Sequence, residues 1–182
     1  PGPTFYLKYC PSYLALHTVD DDGRSAGSFK GKMKGQPAMW ILIGVLALIG
    51  TVQFYVRFSP AQVDRWVISP NEKTVGDYRY DSGFMAVRVV DGDGDSFLKM
   101  FDQEMLGTPR TRRVATISGQ NIYESRSKLW GFPDYTTVSV APLPGMEQSR
   151  AVIYGRLRFG KSDMGVNRKR IEYVLHRLGL EL

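Results

Sequence analysis

Cysteine and histidine are nearly missing from this 182-residue chain, which has one cysteine, Cys10, and two histidines, His17 and His176. Cys10 lies before the chain's one long apolar run, so everything beyond that run has no disulfide and no thiol chemistry. A domain free of cysteine suits an oxidising periplasm. No Cys/His set exists for zinc, so no metal is expected. No serine has a histidine placed to serve it as a base. There is no glycine-rich nucleotide loop, and nothing marks out two acids for glycosidase work. No cofactor is implied, and the chain reads as non-enzymatic. A strong charge of one sign is lacking too. The formal net charge is +6, and the segment after Val56 holds 19 basic and 15 acidic residues, a balance of +4. That is too weak and too evenly mixed for a dedicated nucleic-acid binder. It suits contact with anionic membrane lipids or an acidic partner.

What the chain does have is Met39–Val56, MWILIGVLALIGTVQFYV, a run of 18 residues with no charge. At about 1.5 Å per residue such a helix is roughly 27 Å long, close to the hydrocarbon thickness of a bilayer. An apolar helix satisfies its own backbone in lipid, and Trp40 and Tyr55 fit an interfacial aromatic belt. A cleaved signal peptide would end in a small-x-small site. Here bulky aromatics of QFYVRFS stand in that place, so the segment is expected to be retained as a transmembrane helix over residues 39–57. Lys30, Lys32 and Lys34 precede it, whereas Arg57 and Arg65 are the nearest cations after it. That bias favours a single pass through a bacterial inner membrane with the C-terminal domain in the periplasm. Gly44, Ala47 and Thr51 share one helix face, where small residues would let another helix approach.

Residues 1–38 read as an irregular tail whose acidic, glycine- and lysine-rich composition cannot bury apolar surface. Met33 or Met39 would serve as a translation start, in which case residues 1–32 read as an upstream extension. Residues 58–76, with Ser59-Pro60 and Ser69-Pro70, read as an extended linker. Trp66 within it is either an interfacial side chain or a cap on the domain core. Residues 77–182 read as the folded domain. Phe84–Val90 is an expected strand. A short helix follows the Asp91–Asp95 turn, with Asp95 or Ser96 as N-cap. Strands are expected at Arg113–Ser118, Ile122–Leu129, Tyr135–Val140 and Ala151–Phe159. In the last, Tyr154, Arg156 and Arg158 alternate with Ile153, Leu157 and Phe159. Asn167–Leu178 is amphipathic, with Ile171, Val174, Leu175 and Leu178 as its apolar stripe and Gly179 as C′ residue. The order predicts an α+β, two-layer domain behind one N-terminal transmembrane helix. Its antiparallel sheet has helices packed on one face and a wet, charged face opposite.

Two motifs invite chemistry. Asp91, Asp93 and Asp95, with Leu98 and Asp102 beyond, mimic a calcium-loop spacing. Ser96 stands where the loop needs glycine, and a glycine- and aspartate-rich turn that caps a helix explains the same residues. The second is Arg156–Glu172, RLRFGKSDMGVNRKRIE. Its helix opens with Arg168, Lys169 and Arg170, which oppose the helix dipole and need Asp163, Glu172 or an external anion as partners. Arg156, Arg158, Arg168 and Arg170 are therefore candidate ligands for a carboxylate or phosphate. An internal salt-bridge network at the strand–helix corner is the alternative. His176, four residues after Glu172, reads as a surface pair with it.

The pattern Arg158-x-Gly160-x-Ser162-Asp163-x-Gly165-x-Asn167-Arg168-Lys169-Arg170 resembles the C-terminal signature of the bacterial and plastid family known as domain of unknown function 1499. Arg126-Ser127-Lys128-Leu129 and Phe132-Pro133-Asp134-Tyr135-Thr136 resemble its alphaproteobacterial branch, which often carries one N-terminal membrane helix. The resemblance covers residues 39–182, leaves 1–32 outside, and departs at Leu157, where many relatives have serine. It implies the domain boundary and an anchored topology, and no established activity. Two functions are expected. The first is a single-span accessory subunit that packs on other subunits of a larger inner-membrane complex, respiratory or photosynthetic. The second is a periplasmic module that binds a lipid headgroup or small anion.

Overall fold

The computed structural model describes residues 36–69 and 73–181. The expected tail, with Cys10 and His17, lies outside the described residues apart from its last few positions, and so do Pro70 and Asn71. The chain divides into two compact units, residues 1–46 and 47–182, with the boundary inside the first helix.

That helix, α1, runs over Gln36–Phe58. It starts earlier than Met39 because proline at a helix's first turn loses no hydrogen bond, so Pro37 extends it. It stops at Phe58 because Pro60 disfavours helical backbone at Ser59. The 22 residues from Pro37 to Phe58 are long and apolar enough to cross a membrane. Large apolar side chains from Met39 to Phe58 are exposed, with Val56 the buried exception.

The second unit is built on one sheet of six antiparallel strands. They are β1 (Gly76–Tyr80), β2 (Gly83–Asp91), β3 (Thr111–Ile117), β4 (Gln120–Arg126), β5 (Pro133–Pro142) and β6 (Gln148–Leu157). Their order is β1-β2-β6-β5-β4-β3. Gly76 was expected to end the linker and residues 77–80 were given no strand; Gly76–Tyr80 pairs along β2, from Gly76 opposite Val87 to Tyr80 opposite Gly83. The β3–β4 turn places both Ser118 and Gly119 at positive φ, 49° and 74°. Such a turn matches the right-handed twist of its strands.

Helices α2 (Asp95–Leu106) and α3 (Val166–Arg177) cover one face. α2 buries Phe97, Phe101 and Met105, spaced by four, and α3 buries Ile171, Val174 and Leu175. These meet Phe84, Ala86, Val90, Tyr123, Val138, Ala151 and Ile153 of the sheet in one cluster. Neither Asp95 nor Ser96 caps α2. Its N-cap is Gly94 at φ 86°, where a Cβ would lie 2.1 Å from Val140 Cγ1. Asp93 does the polar work, its Oδ1 accepting from the Asp95 amide at 3.0 Å. α3 closes as expected on Gly179, with the Leu180 amide donating to Leu175 O at 2.9 Å.

The opposite face differs from expectation. Val87, Ile122, Tyr135, Thr137 and Val152 point there, and each is at most 1% exposed. Residues 59–69, expected to be a linker, lie across it as a strap with a 3-10 turn at Val63–Trp66. Trp66 stacks on Tyr135 with ring centroids 4.3 Å apart. Thr137 Oγ1 and Arg156 Nη2 both donate to Trp66 O at 2.7 Å. Gln120 closes a two-way bond with Ile68, accepting from its amide at 3.0 Å and donating to its carbonyl at 2.6 Å. The strap folds down because a half-apolar face left bare would forfeit its burial, and because these side chains satisfy its backbone.

Candidate functional site

The four arginines expected to share an anion are divided by the sheet. Arg156 and Arg158 leave β6 and the residue after it towards the strap. Arg168 and Arg170 belong to α3 on the other face. Arg156 lies between two rings, 5.0 Å from the Trp66 centroid and 4.6 Å from that of Tyr154. Burial pulls its pKa below the usual arginine value, and the Tyr154 phenol opposes that pull. Arg158 binds the strap's start, donating to Ser59 O at 3.1 Å, Ser59 Oγ at 2.6 Å and Pro60 O at 2.9 Å.

At the strand–helix corner the chain supplies its own anion. Asp163 is 8% exposed, and its carboxylate accepts from the Gly165 amide at 2.8 Å and the Asn167 amide at 3.1 Å. Those are the donors an external phosphate would have used at the N-terminus of α3. The negative charge there offsets the basic first turn. Arg168 pairs with Glu172 at 2.6 Å. Arg170 donates to Asn167 Oδ1 at 2.9 Å and stands 3.8 Å from Asp134. Glu172 is thus taken by Arg168, and His176 meets Glu181 rather than Glu172.

Asp134 is the corner's unusual acid. Burial lifts its carboxyl from 3.8 to about 6, Arg170 pulls it back, and Asp163 pushes it further up. Arg170 is itself lowered by burial, against the pull of Asp134 and Asp163. Thr136 Oγ1 and Asn167 Nδ2, both buried, have no hydrogen-bond partner among the described residues. Gly155 lies under this corner because α3 comes close. A Cβ there would fall 3.0 Å from Asn167 Cβ and 3.1 Å from Ile171 Cδ1.

A second acid was also missed. Glu124 is 1% exposed and sits between Arg112 and Arg126, each at 2.6 Å. Register aligns Arg156, Tyr135, Glu124 and Arg112 in one row across four strands. The alternation of Glu124 and Arg126 was visible in the sequence as a charged face and pointed to solvation. The structure instead buries the acid while leaving Arg112 69% and Arg126 25% exposed.

The Asp91–Asp95 turn closes on the chain itself. The Gly92 amide donates to Glu147 O at 2.9 Å, and Ser149 Oγ donates to Gly92 O at 2.7 Å. Among the described residues no group of three or more His, Cys, Asp or Glu side chains is placed to hold a metal ion. On α1, Gly44, Ala47 and Thr51 are exposed, and Thr51 Oγ1 donates back to Ala47 O at 2.8 Å.

The corner and its signature residues fall inside a family match. The family described as protein of unknown function (DUF1499) matches residues 67–178. The chain belongs to this family. No curated protein and no solved structure matches it. The DUF1499 match takes in all six strands and both domain helices, and starts just after Trp66. The family's description assigns no activity. Its signature here is structural in its contacts: Asp163 caps α3, Asn167 accepts from Arg170 within α3, Arg170 ties α3 to Asp134 of β5, and Arg158 ties the end of β6 to the strap.

Proposed function

We propose that this chain is a non-catalytic, single-span accessory subunit. Its helix crosses a bacterial inner membrane, its domain sits on the periplasmic side, and it packs on and stabilises a larger complex, respiratory or photosynthetic. One observation carries the reading. α1 exposes every large apolar side chain between Met39 and Tyr55, and its Gly44 has nothing within 4 Å of where a Cβ would stand. Such a surface needs lipid or another helix, and the small-residue face suits the helix. The domain adds support: Arg168 and Arg170, the cations at the opening of α3, are taken by the chain's own Glu172, Asn167 and Asp134. Co-purification after mild detergent extraction tests this, and a monodisperse lone monomer from native membranes overturns it. Gly44→Leu is expected to weaken assembly at least severalfold while leaving membrane insertion intact.

A second reading, a membrane-anchored module that binds a lipid headgroup or small anion, is favoured by a different pair of arginines from those first singled out. Arg57 and Arg65, at and just beyond the end of α1, are exposed and form no ion pair among the described residues.

A further inference from the structure

The end of α1 meets the strap and the residues after β6 at a cleft of about 380 Å³. Its lining includes Tyr55, Ser59, Arg65, Trp66, Arg158 and Phe159, and no carboxylate. Arg158 gives its terminal donors to Ser59, Pro60 and the Tyr135 hydroxyl. Those oxygens are neutral, so they orient the guanidinium without cancelling its charge. Arg65 brings a second cation without a partner among the described residues, and Arg57 stands in the last turn of α1 nearby in sequence. The wall beside these charges is aromatic: Phe159 lies 5.0 Å from the Arg158 guanidinium, and Tyr55 meets Phe159 edge-on at 6.2 Å. Cations set among Tyr, Trp and Phe at the end of an apolar helix match the chemistry of the headgroup layer, where a phosphate and an acyl chain arrive together.

We propose that this cleft binds the phosphate of an anionic glycerophospholipid in the leaflet where α1 emerges, with Arg65 and Arg158 facing the phosphate and Tyr55 and Phe159 bordering the glycerol and upper acyl chain. This rests on the reading of α1 as a membrane span. It also gives the strap a purpose beyond covering the sheet. Arg158 holds the strap's start and faces the lipid, so an occupied cleft would pin the domain to the bilayer surface.

The test uses the full chain in nanodiscs of equal parts phosphatidylglycerol and phosphatidylcholine, with retained lipid read by native mass spectrometry. The wild type is expected to retain phosphatidylglycerol preferentially. Arg65→Gln is expected to lower the retained ratio about fivefold, the effect of one basic residue at an anionic surface. Arg65 makes no side-chain bond among the described residues, so the variant should fold as the wild type does. Lys99→Gln, which removes the same charge from α2, should leave the ratio unchanged. An unchanged ratio in Arg65→Gln overturns the site, as does an equal loss in Lys99→Gln. Displacement of the lipid by millimolar inorganic phosphate would make it a soluble-anion site and overturn the lipid assignment. Release of the chain from membranes by alkaline carbonate overturns the span and the cleft's role with it. Retention through that wash with no change in Arg65→Gln overturns the cleft alone.

Discussion

The two faces of the sheet are both dry, but by different means. On one face α2 and α3 lay aromatic and aliphatic side chains against the strands, and Thr136 and Asn167 leave unpartnered polar atoms at one corner. On the other a single strap does the covering, and it is held by one aromatic stack and a set of hydrogen bonds. Burial on the helix face is dispersed over many residues, so it tolerates loss of a polar contact. Burial on the strap face depends on few residues, and it leaves an acid, Glu124, that only its two arginines neutralise. Area covers the first face, and directed bonds cover the second.

The sharpest way to break this contrast is in the helix-side core. Phe101 is fully buried between Phe97 and Tyr123, and Phe101→Ala is expected to cost about 4 kcal/mol in denaturant unfolding. Glu124→Ala should follow at about 3 kcal/mol, because it leaves Arg126 partly buried without its acid. A loss below half of that would mean the cluster is effectively solvated. The pH dependence of the corner comes next. Asp134 titrates near 6 when folded against an ordinary 3.8, so between these values the folded chain keeps a proton that the unfolded chain has released. Stability therefore falls as pH rises through that window, by roughly 3 kcal/mol at most. Asp134→Asn should flatten that slope in chemical denaturation at acid and neutral pH, and an unchanged slope would move the effect to another group. Trp66→Ala should cost the least, about 2 kcal/mol, since Trp66 is only partly buried. Its signature is selective: hydrogen exchange should quicken at Ile68 and along the strap while α2 and α3 stay protected. Equal quickening on both faces would erase the distinction.

The elements that were legible in the sequence are those whose evidence is local. The stripe of Ile171, Val174 and Leu175 and the cap at Gly179 were where the local sequence placed them. The alternation of Ile153 with Tyr154 and Arg156 holds along β6, but that strand ends at Leu157, so Arg158 and Phe159 line one cleft instead of opposite faces. β1 was missed because GDYRY is a short edge strand of mostly polar residues, which carries no pattern of its own. The N-cap of α2 was misplaced because a side-chain cap was sought where crowding by Val140 demands glycine. The basic turn of α3 was read as a request for an anion. That request was sound, but Asp163 fills it from within the chain.

The strap shows where sequence reasoning stops. Nothing in residues 59–69 says that Trp66 will meet Thr137 and Arg156, which lie 71 and 90 positions along the chain. The sequence by itself determined the apolar helix, the helix and strand periods and the absence of cysteine beyond the helix, because each is written in neighbouring residues. Only the tertiary structure decided which charges would be buried, which arginines would be spent on the chain's own oxygens, and which would be left facing out at the end of α1. Those outcomes depend on which strands lie side by side, and desolvation acts on whatever that pairing brings together.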